Sequence, residues 1–408
     1  MINNKNAHSW FYVALAAAAM LMITMGARQS QGLFVFPISG STGVSIVTIS
    51  FAMAVGQFMW GAVAPVAGAV ADRFGPAPVL VSGVLILALG TALTPVLTTS
   101  SGLVFTIGIL TAIGAGAGSF SMLIGTVMGR LPPAHRGTAA GIITAGGSFG
   151  QFVFAPIAQT LISTWGWMTA MWSLSVFSLA ALPLIRPISG RSLNGDAERP
   201  GPADGGLRDV VKNAFADRSY LLLHASFLTC GFHIAFLVTH LPGEVDLCGL
   251  PASVASWSLA IIGLANIVGS LAAGWLLGRY RGKDVLFWMY GSRTMLILFY
   301  LFAPKMEWTF YLLAVGLGFS WLGTAPPTAG VVGKLFGTRY LATLYGLTMV
   351  SHQVGAFFGA WLGGVAFSQS GNYLWMWYAD ALFAMIAALL NLTIREPRLQ
   401  TVAATARA

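Results

Sequence analysis

The stretch GAVADRFGPAPVL, residues 68–80, has a related copy later in the chain. The copy is GWLLGRYRGKDVL, residues 274–286, at an offset of 206 positions. A second pair follows, GRLPPAHRGTAAG at 129–141 and GKLFGTRYLATLYG at 333–346, which align with a one-residue insertion. Two different stretches that recur at nearly the same offset indicate that the chain consists of two duplicated halves.

Outward from these loops the chain is strongly apolar. Hydrophobic residues make up 56% and charged residues only 8% of the sequence, which is typical of a protein with many membrane-spanning helices. A bilayer-spanning helix needs roughly 20 apolar residues, so the long apolar runs at 74–129 and 340–394 must each fold back once. The pattern predicts twelve spans, numbered 1 to 12 in chain order, near residues 10–37, 44–70, 78–98, 102–128, 138–163, 165–185, 220–241, 252–277, 284–303, 307–332, 341–367 and 373–394.

The lysines and arginines predict the orientation of these spans. If both termini are cytoplasmic, 18 of the 21 basic residues fall in cytoplasmic loops or tails. We therefore predict a multi-pass protein of the cell inner membrane with both termini in the cytoplasm. The net charge of +9 follows from this bias and attracts anionic lipid headgroups. No basic face interleaved with aromatic residues indicates a nucleic-acid partner.

The one long polar segment, residues 186–218, carries six basic and five acidic residues together with proline and glycine. It predicts a cytoplasmic linker between an N-terminal six-helix bundle, residues 1–185, and a C-terminal six-helix bundle, residues 219–408. The expected fold class is an all-α membrane protein whose twelve helices form two pseudo-symmetric bundles. Such duplication is typical of transporters, because alternating access needs two units that rock about a site between them.

The loop after span 2 resembles the signature loop of the major facilitator superfamily. It carries Gly68, Asp72, Arg73 and Gly75, and Arg279 stands at the Arg73 position of the second copy. The resemblance covers essentially the whole chain and implies the twelve-helix major facilitator fold and secondary transport. It also implies that these five residues form a conformational gate, which latches the cytoplasmic side of the two bundles in the outward-open state.

Within the superfamily, GTAAGIITAGGSFGQ at 137–151 is similar to bacterial relatives of monocarboxylate transporters and oxalate–formate exchangers. This resemblance implies a monocarboxylate-like substrate. The aspartate and arginine that these carriers place in span 8 correspond to Asn266 and Ser270 here.

Arg28 is the only charged residue of predicted span 1. An arginine near the bilayer centre costs at least about 3 kcal/mol, so we expect it to serve a function. A shift of 205 aligns GARQSQGLFVFP, residues 26–37, with GFHIAFLVTHLP, residues 231–242, and places Arg28 opposite His233. Spans 1 and 7 line the central cavity in the fold that the resemblance implies. We therefore expect the guanidinium and the imidazole to face each other and bind an anion.

Other polar or aromatic residues inside the spans complete the candidate site. Arg293 in span 9 and Asp380 in span 12 fall on outer helices of the implied fold and are a candidate structural ion pair. The candidates for substrate binding are Arg28, His233, His352, Asn266, Gln151 and Trp321.

The sequence predicts a secondary active transporter of a small organic anion, a carboxylate. The cavity-lining spans hold no carboxylate, so either a histidine carries a coupled proton or the protein exchanges one anion for another. The alternative is an importer or exporter of a larger aromatic solute, vitamin or drug, with Phe34, Trp60 and Trp321 as stacking surfaces. The sequence contains no nucleophile–base set, nucleotide-binding motif or metal-ligand spacing. We therefore expect neither enzyme activity nor a cofactor or metal. We expect the protein to be a monomer whose partners are its substrate, protons and membrane lipids.

Overall fold

The computed structural model of the protein describes residues 4–128, 130–131, 133–190, 207–337 and 340–396. Residues 191–206 of the predicted linker therefore lie outside the described residues. The helices of the first half are Asn4–Gln29, Val35–Thr42, Ile46–Phe74, Pro76–Leu93, Ser100–Leu103, Ala112–Ala117, Phe120–Met128, Pro133–Leu179 and Ile185–Ile188. Those of the second half are Leu207–Ala216, Arg218–Leu247, Ala252–Leu277, Gly282–Phe302, Glu307–Trp321, Ala325–Phe336, Leu341–Ser370 and Leu374–Thr393.

These helices make twelve membrane passages in the described part of the chain. Ten segments are long and apolar enough to cross a membrane. One of them, Thr138–Ile188, has 51 residues and holds two passages, because Gly166 with φ +80° turns the chain between them. Leu341–Ser370 adds another passage that is less apolar, since His352 and Gln353 interrupt it. The prediction of twelve spans is thus confirmed, and the spans keep their numbers below.

Spans 1, 4 and 10 each depart from regular α-helix within their length. Span 1 contains a 3₁₀ turn at Gln31–Phe34, span 4 is π-helical over Val104–Thr111, and span 10 has a 3₁₀ turn at Leu322–Thr324. Irregular backbone inside a membrane is stable only where other groups satisfy its polar atoms. In span 10 that group is Asn266 of span 8, whose Oδ1 accepts a 3.0 Å hydrogen bond from the Leu322 amide.

The two halves pack against each other at the far end, the end opposite residues 186–218. Span 2 lies along span 11 so closely that a Cβ on Gly364 would collide with the Ser50 side chain. The Phe51 ring lies 6.0 Å from the Phe357 ring and 5.9 Å from that of Trp361. Glycines and edge-on aromatic rings therefore close this seam between the halves.

Two further seams connect the halves. A Cβ on Gly32 of span 1 would collide with the Val238 carbonyl of span 7. A Cβ on Gly263 of span 8 would lie 2.6 Å from the Ser148 carbonyl oxygen of span 5. Because glycine has no side chain, the backbones of the two helices approach closely at these positions, as is common between membrane helices.

Spans 2, 5, 8 and 11 continue from these seams to the linker end, where residues 186–218 begin. Four glycines from the four spans of the main seams have open space where a Cβ would be, with no described atom within 4 Å. They are Gly68 of span 2, Gly141 of span 5, Gly274 of span 8 and Gly346 of span 11. Contacts between the halves are therefore documented at the far end, and these four linker-end positions have no described neighbour.

Glu396 ties together the linker end of the second half. Its carboxylate accepts hydrogen bonds from the Gly282 amide at 3.0 Å and the Lys283 amide at 2.8 Å, and it pairs with Lys334 Nζ at 2.6 Å. A carboxylate at the first amides of a helix satisfies donors that lack an intrahelical partner and opposes the positive end of the dipole. These contacts join spans 9, 10 and 12 into one unit.

Candidate functional site

Arg28 is buried inside the first half, at mid-length of the Trp10–Thr42 segment. Its Nη2 donates a hydrogen bond to Gln57 Oε1 of span 2, and its guanidinium lies 4.4 Å from the centroid of the Trp60 ring. Within the described residues, no carboxylate lies within 4.0 Å of Arg28. Its positive charge is therefore held by an amide and an aromatic face and is not neutralised by an acid.

Breaks in two helices shape the surroundings of Arg28. The first helix of span 1 ends at Gln29, directly after the arginine, and the chain continues through its 3₁₀ turn. The facing part of span 4 is the π-helical segment, in which Thr111 Oγ1 donates to the Thr106 carbonyl at 2.8 Å. Such π-helical turns are frequent at functional sites. Gly56 brings span 2 close to this segment, since its Cβ position lies 3.3 Å from the Ile107 carbonyl oxygen.

A cavity of about 10 Å³ adjoins Arg28, enough for one water molecule. Beside it, Trp60 Nε1 is buried and has no hydrogen-bond partner among the described residues. The cavity thus offers the guanidinium to a ligand that accepts hydrogen bonds, whereas Trp60 is not among the described residues that line it. A ligand larger than water fits only after side chains that line the cavity move. The cavity is lined by Arg28, Gln31, Met53, Gly56, Gln57, Ile107, Thr111 and Ala112.

His233 does not face Arg28, in contrast to the expectation from the internal repeat. Its Nδ1 pairs with Asp380 Oδ2 of span 12, and both side chains are almost fully buried in the second half. The repeat aligns the two positions along their helices, but Asp380 holds the imidazole inside its own bundle. Arg28 and His233 therefore have different partners, each within its own half.

The structure also differs from the expected ion pair between Arg293 and Asp380. Arg293 Nη2 donates to the Ser320 carbonyl at 2.9 Å, and Nη1 donates to Cys230 Sγ at 3.6 Å. The only acid–base pairs within 4.0 Å in the described residues are His233 with Asp380 and Lys334 with Glu396. The broken span 10 accounts for the difference, because it presents a free carbonyl to the arginine.

None of the other four substrate candidates is among the described residues that line the cavity beside Arg28. Asn266 holds the break in span 10, and Trp321 is 2% exposed in the hydrophobic core. Gln151 is buried near Gly263 in the seam between spans 5 and 8, with Nε2 unpartnered in the described part of the chain. The partly buried ring of His352 lies 4.9 Å from the Phe227 ring.

The gate candidates lie at the linker end. Gly75 ends span 2 with φ +87°, a conformation that favours glycine, and its amide donates to the Ala71 carbonyl at 2.8 Å. The Arg73 guanidinium lies 5.2 Å from the Phe74 ring, and that of Arg279 lies 3.7 Å from the Trp275 ring. Gly68 has open space beside it, and the Asp72 side chain lies outside the described residues.

The sequence-based prediction missed the immediate partners of Arg28. Gln57 and Gln31 carry polar amides inside apolar spans, a pattern that marks both of them in the sequence as candidate site residues. Thr111 and the role of Trp60 depend on how spans 2 and 4 are rotated about their axes, which the linear pattern of a fully apolar helix does not encode.

Comparisons with known proteins agree with this architecture. The family model described as Major Facilitator Superfamily matches residues 15–360 and again residues 249–407. The chain is 25% identical over 397 residues to monocarboxylate transporter 13 of Rattus norvegicus, covering 94% of this chain and 88% of that protein. It is also 25% identical over 383 residues to the oxalate:formate antiporter of Oxalobacter formigenes, covering 90% and 86%.

Among solved structures, the chain resembles a bacterial homolog of the human lysosomal transporter Spinster in an inward-facing and occupied conformation. The TM-score is 0.71 at 15% sequence identity, and the match covers 93% of this chain and 96% of that one. This likeness concerns the fold.

Proposed function

Since this chain belongs to the Major Facilitator Superfamily, whose members are transporters and not enzymes, we propose that it moves a small organic anion, a carboxylate, by alternating access. The observation that carries this proposal is Arg28, a charge buried at mid-membrane without an acidic partner among the described residues. A buried, unpaired charge raises the free energy of the folded protein, and a bound anion would offset that cost. A guanidinium also matches the two oxygens of a carboxylate.

The relatives support the same substrate class. One is named a monocarboxylate transporter and another an oxalate:formate antiporter. The anion site serves anion exchange or proton-coupled transport equally well.

A larger aromatic substrate fits these surroundings less well. Of the three rings that would stack on it, Phe34 is 0% exposed and Trp321 is 2% exposed, so both belong to the core. Trp60 already lies against Arg28. The small-anion proposal is therefore preferred.

A counterflow experiment tests the proposal. Purified protein in liposomes loaded with unlabelled lactate, formate or oxalate should accumulate the corresponding labelled anion from outside. External carboxylates should compete, and the matching neutral amides, lactamide and formamide, should compete far more weakly. Equal competition by amides, or no accumulation of any carboxylate, would contradict the proposal.

We further propose that the linker end and both termini face the cytoplasm of a cell with an inner membrane. In a variant with Cys248 replaced by serine, a cysteine at Ser189 should react with a membrane-impermeant reagent only from the cytoplasmic side. A cysteine at Asn372, at the exposed far end, should react only from the opposite side. Reaction of both from one side would contradict the topology.

The gate assignment is a proposal that rests on the Gly68, Asp72, Arg73 and Gly75 pattern and its copy at Arg279. Asp72→Asn should slow the interconversion of the two open states and lower transport, while binding stays nearly unchanged. Spin-label distances across the linker end, measured with and without lactate, report that interconversion. Asp209→Asn, an exposed aspartate of the Leu207–Ala216 helix, is the matched control. Weaker binding with unaltered interconversion would assign Asp72 to a different role.

A further inference from the structure

The second half contains a buried pair, His233 and Asp380, that the anion site does not use. The two side chains are 2% and 1% exposed, at mid-length of span 7 and within span 12. Asp380 is the only acidic residue between Tyr340 and Ile394. A buried acid inside a membrane span is costly, so its presence points to a function.

The hydrogen bonding of this pair is incomplete. Asp380 Oδ1 and His233 Nε2 are buried and have no hydrogen-bond partner among the described residues. A buried ion pair that only stabilises a fold normally has its remaining atoms satisfied by further hydrogen bonds. When the Nδ1–H of a neutral His233 donates to the Asp380 carboxylate, Nε2 carries a free lone pair. That nitrogen is able to accept one proton.

Neighbouring groups set the charge of this region. Arg293 of span 9 is buried, acts electrostatically on His233, and donates to Cys230 of span 7 and to the Ser320 carbonyl of span 10. With neutral His233, the charges of Arg293 and Asp380 cancel. The titratable groups around the pair are Cys230 on span 7, Tyr290 and Arg293 on span 9, and His352 on span 11.

We propose that the His233–Asp380 pair is a proton-binding site, with the proton taken up at His233 Nε2 and the resulting imidazolium neutralised by the Asp380 carboxylate. The site lies in the second half, whereas the anion site lies in the first. A proton here and an anion at Arg28 together leave the membrane-embedded charge of the protein unchanged. The free-energy cost of burying the net charge in the membrane is then the same for the empty carrier and for the carrier with proton and anion bound.

The proton site itself can be tested without any substrate. The chain has six histidines, so nitrogen-15 NMR of histidine-labelled protein in lipid nanodiscs resolves few signals, and His233→Gln identifies one of them. That signal should be a neutral Nδ1–H tautomer at high pH and should gain a proton as the pH falls through the range of about 5 to 8 in which histidines titrate. Asp380→Asn should move its midpoint to lower pH, because the imidazolium loses its counter-charge.

His240→Gln is the matched control, since His240 is equally buried on the same span but bonds to the Ala360 carbonyl. It should leave the His233 titration unchanged, and the remaining histidine signals show that each variant is folded. A His233 signal that stays neutral down to pH 5, or that titrates identically in Asp380→Asn, would overturn the proposal.

A transport arm, which rests on the proposed function, tests coupling. A pH gradient should stimulate lactate uptake in the parent protein, and Asp380→Asn should lose that stimulation but keep lactate counterflow. Stimulation that survives in Asp380→Asn would also overturn the proposal. If no lactate moves while His233 titrates as expected, the proton site stands and the proposed function fails.

Discussion

Arg28→Ala should nearly abolish carboxylate transport while the protein still folds. A hydrogen bond to a charged group contributes about 1.5–3 kcal/mol, and the guanidinium offers a carboxylate two of them in a matched fork. Because each 1.4 kcal/mol is a factor of ten, lactate uptake well below saturation should fall by roughly 100-fold or more. Counterflow of labelled lactate in liposomes measures the loss.

Arg28→Lys gives an intermediate result on the same account. Lysine keeps the charge but lacks the planar fork and packs differently on the Trp60 ring. We expect about a tenfold loss of lactate affinity for each charge-assisted bond that is not replaced. Arg208→Ala, an exposed arginine of the Leu207–Ala216 helix, is the control and should transport normally. Full activity of Arg28→Ala would exclude this residue from the substrate path.

Gly32→Leu should force the far end open. Gly32 lies against the Val238 carbonyl, so any side chain there must push spans 1 and 7 apart. The contact joins the two halves and not the interior of either one, so the halves themselves should stay folded. Spin labels at Ser101 and Gln369, both exposed at the far end, should report a longer distance, and lactate transport should be largely lost.

Gly40→Leu is a matched control for this experiment. Gly40 lies further along the same span and has open space where a Cβ would be, so the distance and the transport rate should not change. Gly364→Leu, which crowds Ser50 in the seam between spans 2 and 11, should reproduce the opening at a second position. An unchanged distance in both Gly32→Leu and Gly364→Leu would show that these seams do not hold the far end closed.

The fold could be predicted because its determinants are linear in the sequence. Three features can be recognised without knowing how the helices pack. They are the length of the apolar runs, the distribution of basic residues between the two sides of the membrane, and the recurrence of the 68–80 stretch at 274–286. Spans 5 and 6 were separated correctly because Gly166 lies in a short polar turn of the sequence. The breaks in spans 4 and 10 were not predicted, since π-helical and 3₁₀ turns depend on partners from other helices, such as Asn266.

The candidate site could be predicted only in part. Arg28 and Asp380 stand out because a charge inside an apolar span is visible in any sequence. Their partners depend on the rotation of each helix about its axis, which a fully apolar helix does not reveal. For this reason His233 was placed opposite Arg28, whereas the structure joins it to Asp380.

The most direct test of the account compares a charged and a neutral ligand at Arg28. Calorimetric titrations of the parent protein and of Arg28→Ala with lactate and with lactamide measure four affinities under the same conditions. We predict that Arg28→Ala weakens lactate binding by roughly 100-fold and leaves lactamide binding unchanged, because only lactate uses the guanidinium charge. An equal loss for lactate and lactamide would show that Arg28 holds helices together and that the anion binds elsewhere.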